Sequence, residues 1–316
     1  MVDFGRFFFA ICVVGIHTHA FNDNPIIFSY VFSMAVPFFF VCSGFFLGKK
    51  ISITNGTSEY RSILKKYWIR LLIPYLIWAP WYFCVEILAD QIMEHIPLVE
   101  GLKEHAIWWL VSGPGGALWY VQAILVLVPI LMISGEKRYR YGIVALSIAL
   151  SMVPSIVGNL DNPVADYVLH SRMFLWHGYY FLIGLFVGEN WKKGFSKMMS
   201  ASIFIAGLIL LVVNFVTAWN VPIAHLFRLL AVVGLFSFLL SIAAPYSMDM
   251  SLRFRRYSTI IYFTHITLKY AVQMGFKVLH IPESTWVFVI SVIIVIAYAW
   301  IVDTYFKETK LYKLLY

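Results

Sequence analysis

The stretch "LGKKISITNGTSEYRSILKKYWIR", Leu47 to Arg70, is a basic connection between two apolar runs, at 26–47 and 71–88. It carries Lys49, Lys50, Arg61, Lys65, Lys66 and Arg70. An apolar run of about 20 residues is the length that crosses a bilayer as a helix. Lysine and arginine concentrate in the connections that stay on the cytoplasmic side. These residues therefore imply a membrane fold and an orientation together.

The pattern recurs along the whole chain. Apolar runs fall at 5–21, 26–47, 71–88, 117–134, 141–158, 172–188, 199–218, 221–244, 258–277 and 285–306. Turn-forming stretches such as "NDNP", "SGPGG", "GNLDNP" and "WNVP" separate them. Alternate connections are basic: Lys137, Arg138 and Arg140; Lys192, Lys193 and Lys197; Arg253, Arg255 and Arg256; Lys307, Lys310 and Lys313. The others are neutral or acidic, notably the one holding Glu86, Asp90, Glu94, Glu100 and Glu104. A wrong helix count would break this alternation. We expect an all-α, polytopic bundle of about ten transmembrane helices with both termini cytoplasmic. It would form a single membrane-embedded domain over residues 1–316, in the cell membrane.

Composition agrees. Of 316 residues, 61% are hydrophobic and only 13% charged, against about a quarter charged in soluble domains. The net charge of +8 follows membrane topology rather than a nucleic-acid surface. Cys12, Cys42 and Cys84 lie in apolar runs without metal-ligand or disulfide spacing and read as small buried hydrophobes. The leading "MVDFGR" pairs one acid with one base, and no small-x-small site follows the first run. That run reads as a permanent helix.

The first run ends on an expensive residue. Arg6 and His17 are eleven positions apart, about three turns plus 20°, so they share one helix face roughly 16 Å apart. His19 lies about 200° further round. His17 is either an interhelical hydrogen-bond partner or a proton-handling site, and spacing leaves both open.

An Arg followed eleven positions later by a helix-one His resembles the signature of acyltransferase family 3, membrane proteins that acylate sugars and other envelope molecules. "VPFFFVCSGFFLGKK", Val36 to Lys50, resembles that family's second-helix motif. "ALWYVQAILVL", with Trp119 and Tyr120, resembles its Trp-aromatic helix start. "YYFLIGLFVGE" is similar to its glycine helix, and "STIIYFTHITL" to its late pattern at Ser258, Tyr262 and His265. The resemblance is full-length and in order.

It implies transfer of an acyl group, usually acetyl from acetyl-CoA, to a hydroxyl of a cell-surface polysaccharide or its lipid-linked precursor. His17 would be the catalytic base, since a near-neutral imidazole can take a hydroxyl proton. Arg6 would join His17 as the second catalytic residue, suited to a donor phosphate or an orienting contact rather than proton transfer, because guanidinium stays protonated; an interfacial anchor is its plainer reading. Lys65, Lys66 and Arg70 are candidates for the donor's phosphates, although the topology rule explains them as well. The family often shows Arg-x-x-Arg there, and this chain has Tyr67 three residues before Arg70.

Substrate-binding candidates are Ser43, Trp119, Tyr120, Arg172, Tyr262 and His265. Each has a structural counterpart: close packing for Ser43, a helix end for Arg172, an interhelical hydrogen bond for His265. No metal is expected, because no cluster has ligand spacing. The bilayer, an acyl-CoA donor and a glycan or lipid-linked glycan acceptor are the expected partners, with no nucleic acid. Arg228 and Lys269 lie deep in apolar runs and need partners that sequence does not identify. The rival reading is a secondary transporter of an envelope-related molecule, for which inverted repeats and broken helices would be expected.

Overall fold

Runs without charge, β-bulge or turn residues become helices because only helices satisfy every backbone group inside a bilayer. In the computed structural model the described residues are all but 21–23, 25, 26, 28, 29, 55, 113–116, 136, 171–173, 192, 193, 218–223 and 282–284. They form helices and no strand: α1 Val2–His17, α2 Ala35–Ile51, α3 Thr57–Ala89, α4 Leu98–Ser112, α5 Trp119–Ser134, α6 Lys137–Ser151 and α7 Val153–Val157. Then come α8 Pro163–His170, α9 Phe174–His177, α10 Tyr179–Asn190, α11 Lys197–Thr217, α12 Ala224–Ser241, α13 Met248–Val278, α14 Thr285–Tyr305 and α15 Lys310–Leu315.

Among the described residues, 5 helices are long and apolar enough to cross a membrane: Phe32–Ile51, Thr57–Glu94, Tyr139–Val157, Lys197–Thr217 and Thr285–Tyr305. α5 and the stretch His225–Ser241 are apolar but shorter. The other expected runs belong to short helices or, in α13, to a helix that also carries a polar face.

The chain gathers into two compact units. The first comprises Met1–Val36, Ile73–Leu118 and Ala243–Tyr316. Here α1 lies along α13, and α13 packs on α14. Asp3 fastens the start of α1: its carboxylate accepts from Ser251 Oγ at 2.8 Å and from Arg255 Nε and Nη2, each at 3.0 Å. Further along, Phe7 meets Phe254 and Tyr257. Arg256 clasps Asp303, joining α13 to α14. Tyr82, from the later part of α3, donates to the Phe263 carbonyl at 2.8 Å.

The second unit comprises Pro37–Leu72 and Trp119–Ile242. Its tightest seam is glycine on glycine. A Cβ at Gly44 or Gly48 would collide with the carbonyls of Phe181 or Leu185; one at Gly184 or Gly188 would collide with those of Val41 or Phe45. Two Gly-x-x-x-Gly faces, on α2 and α10, thus bring backbones into direct contact, the way helices associate where no hydrophobic force distinguishes protein from lipid. The seam between α11 and α12 uses Gly207 and Gly234 similarly. Arg140 pairs with Glu189 at 2.6 Å and lies over the Tyr60 ring.

Two expectations change. Cys12 and Cys42 are buried, but Cys84 is exposed, because it lies on a side of α3 that no described helix covers. The first helix also stops at His17 rather than near residue 21. His19 has φ 53, and the Ala20 amide donates to the Gly15 carbonyl at 3.1 Å. A left-handed residue with a six-to-one bond is a Schellman stop, and the Thr18 hydroxyl reinforces it by donating to the Val14 carbonyl at 3.0 Å.

Candidate functional site

His17 closes α1, and its ring lies 5.1 Å from that of His265, tilted by 48°. His265 is fully buried in α13. Its Nδ1 is 2.8 Å from the Tyr262 carbonyl and 3.1 Å from that of Ile261. Carbonyls only accept, so Nδ1 carries the proton and Nε2 presents a lone pair. Among the described residues His265 Nε2 has no hydrogen-bond partner. The paired imidazoles therefore place a proton acceptor beside His17 in a water-poor interior.

The surroundings extend that polarity along α13. Ser258, Tyr262, His265, Lys269 and Gln273 are all buried. Their spacing keeps them within roughly 80° of one face. Tyr262 commits its hydroxyl to the Ala117 carbonyl at 2.7 Å. Lys269 places Nζ 3.6 Å from the centre of the Tyr270 ring, a cation–π contact suited to a desolvated ammonium. The period of 3.6 was readable in the sequence, yet Lys269 was not connected with His265 by it.

Arg6 is a quarter exposed and stands 3.8 Å from Asp3. Because Asp3 already accepts from Ser251 and Arg255, it orients Arg6 without using up the guanidinium's five donors. Asp3, Ser251 and Arg255 were not singled out by sequence. An acid three residues before an arginine of the same helix was the available signal.

Within the second unit Ser43 and Tyr120 come together, hydroxyl to hydroxyl at 2.5 Å. Phe40 lies against both Trp119 and Tyr120, and the Trp119 ring meets the His177 edge at 5.4 Å. Lys65, Lys66 and Arg70 are exposed on α3, open to a ligand. Arg172 lies outside the described residues. Among the described residues no group of three or more His, Cys, Asp or Glu could hold a metal ion.

A family model described as an acyltransferase domain matches residues 2–304, nearly the whole chain. The chain belongs to acyltransferase family 3. Membership covers both units, so the His17 pair and the Ser43–Tyr120 pair lie inside the acyltransferase domain. A further similarity is to an amino-acid racemase of Enterococcus faecalis, at 31% identity over 130 residues. That match takes in 40% of this chain and only 18% of the racemase. No solved structure matches the acyltransferase chain.

Proposed function

We propose that this protein is a multi-pass membrane O-acyltransferase that moves an acyl group, acetyl from acetyl-CoA, to a hydroxyl of an envelope glycan or its lipid-linked precursor. The observation that carries this reading is the family match across residues 2–304, and the His17–His265 pair supplies chemistry that fits it.

In the proposed reaction His17 takes the proton of the acceptor hydroxyl as its oxygen attacks the thioester carbonyl. The new C–O bond forms, the C–S bond breaks, and the proton passes from His17 to the departing thiolate. No covalent acyl-enzyme is required, and Ser43, whose described neighbour is the Tyr120 phenol, is not needed as a nucleophile. His265, whose Nε2 lone pair stands open beside the His17 ring, takes up a hydrogen bond from His17 as that ring becomes charged and so holds its tautomer during the reaction. Lys65, Lys66 and Arg70 receive the donor's phosphates at the cytoplasmic surface, and the acceptor comes from the other face.

Topology belongs to the same proposal: about ten spans, both termini cytoplasmic, in the cell membrane, a reading that the alternating basic connections support. The test is transfer of labelled acetyl from acetyl-CoA to candidate glycans in sealed proteoliposomes of known orientation. Transfer with donor and glycan on opposite sides is the expected result. Absence of transfer to every hydroxyl acceptor overturns the reading, and transfer only from a shared side overturns its sidedness.

A further inference from the structure

Arg228 has no part in that mechanism, and its surroundings are unusual for a cation. It lies in α12 within an otherwise apolar run. Its described neighbours are hydrogen-bonding groups rather than acids. The Tyr180 phenol lies within interaction range of the guanidinium, and its ring is 4.2 Å from that of Tyr179. The Tyr180 hydroxyl is 3.4 Å from the His225 carbonyl, and the Tyr179 ring meets the His225 edge at 5.4 Å. His225 Nε2 is 2.8 Å from Ser151 Oγ. Since that hydroxyl gives its hydrogen to the Ile148 carbonyl at 2.6 Å, His225 is the donor.

Three other arginines placed between helices have carboxylates: Arg140 with Glu189, Arg255 with Asp3, Arg256 with Asp303. Among the described residues Arg228 pairs with none, and its Nε is shielded from solvent without a partner. A half-buried guanidinium with a shielded, unpartnered Nε and no counter-ion is costly in an apolar bundle. A guanidinium fork matches an oxyanion two-pronged and would recover that cost on binding.

Position narrows the choice of anion. Arg140 and Ser151 are both in α6, roughly 16 Å apart along its axis, and Glu189 is roughly 15 Å from Tyr179 along α10. Because Arg140 and Glu189 meet, the Arg228 cluster sits toward the opposite ends of these helices, away from the basic connections. In the proposed topology those are the acceptor's ends.

We propose that Arg228 binds an oxyanion, a phosphate or carboxylate, carried by the acceptor, with Tyr180 placing the guanidinium, which makes the acceptor an acidic glycan or a glycan phosphate rather than a neutral sugar. The assignment to the acceptor rests on the acyltransferase reading; the oxyanion site does not.

The experiment measures thermal unfolding of the full chain in phosphatidylcholine nanodiscs at constant ionic strength. The probes are glucose 1-phosphate, glucuronate and neutral glucose, with a parallel sample in phosphatidylglycerol nanodiscs without probe. A rise in Tm of several degrees with either acidic probe and none with glucose is expected. It should vanish in Arg228→Gln, and the midpoint should weaken at least several-fold in Arg228→Lys, the variant that keeps the charge should Gln not fold. No acid-specific rise, or an unchanged midpoint in Arg228→Lys, overturns the site. Stabilisation by phosphatidylglycerol that abolishes the probe response gives the site to a lipid headgroup and overturns the acceptor assignment. Acyl transfer is not part of this readout, so binding without transfer would refute the enzyme reading and leave the site standing.

Discussion

The seam of α1 on α13 and the seam of α2 on α10 solve the same problem with opposite materials. The first is studded with polar groups, from Asp3 with Ser251 and Arg255 at one end to His17 with His265 at the other. The second removes side chains altogether, so that Gly44, Gly48, Gly184 and Gly188 let backbones touch. Polar groups inside a bundle cost free energy and are kept where chemistry needs them; glycine contacts cost conformational entropy and gain close packing. The contrast separates a seam that can react from one that can only hold.

The sharpest break of that contrast is His17→Ala. It should insert and fold normally yet lose acyl transfer by about a hundredfold or more, read at matched membrane levels. His19→Gly is its control, because glycine accepts the left-handed cap better than histidine; it should retain full activity and equal or higher Tm. An active His17→Ala would reduce the polar seam to a structural one.

Next in size is Gly184→Val, which forces a branched side chain against the Val41 backbone. Overpacking costs about 1–3 kcal/mol even where side chains can yield, and backbone yields less. Loss of the folded, monodisperse fraction in detergent chromatography is the expected outcome, with activity falling only in proportion to folded protein. Wild-type yield would show that the glycine seam is dispensable.

His265→Phe keeps the ring volume and removes the nitrogens. A hydrogen bond to a charged group is worth about 1.5–3 kcal/mol, so kcat should fall about tenfold or more while the Michaelis constants hold. An equal fall in stability and none in specific activity would place His265 with the scaffold.

The smallest effect belongs to the exposed cations. Lys66→Ala and Arg70→Ala should each raise the apparent Michaelis constant for acetyl-CoA a few-fold, leaving acceptor dependence unchanged. Initial-rate measurements with either substrate varied would show it. A change in the acceptor constant instead would remove these residues from donor binding.

Legibility followed locality. Helical class and membrane character could be read from apolar runs and alternating charge, because both signals are carried by neighbouring residues. The Arg6–His17 face was likewise a matter of spacing within one helix. Where α1 ends was not, since the stop depends on His19 adopting φ 53, which favours glycine or asparagine in general. The glycine seam could not be read either. "SGFFLG" and "GLFVG" each allow close approach, but nothing local says that one meets the other. Cys84 was misread for a related reason: an apolar run shows that a helix is in lipid and not which of its sides faces protein. Arg228 stood out by its charge, and only the fold showed phenols and an imidazole around it.

The pairing of α2 with α10 also sets a timetable for biogenesis. Ribosomes add about 5–20 residues per second, so a partner about 140 residues downstream emerges roughly 7–30 s later. During that interval the glycine groove of α2 has nothing but lipid, or the insertion machinery, to lie against. Nascent chains arrested before α10 should therefore be the species most readily captured by membrane quality control, and slowing elongation across residues 50–180 should lengthen their exposure without altering the mature protein.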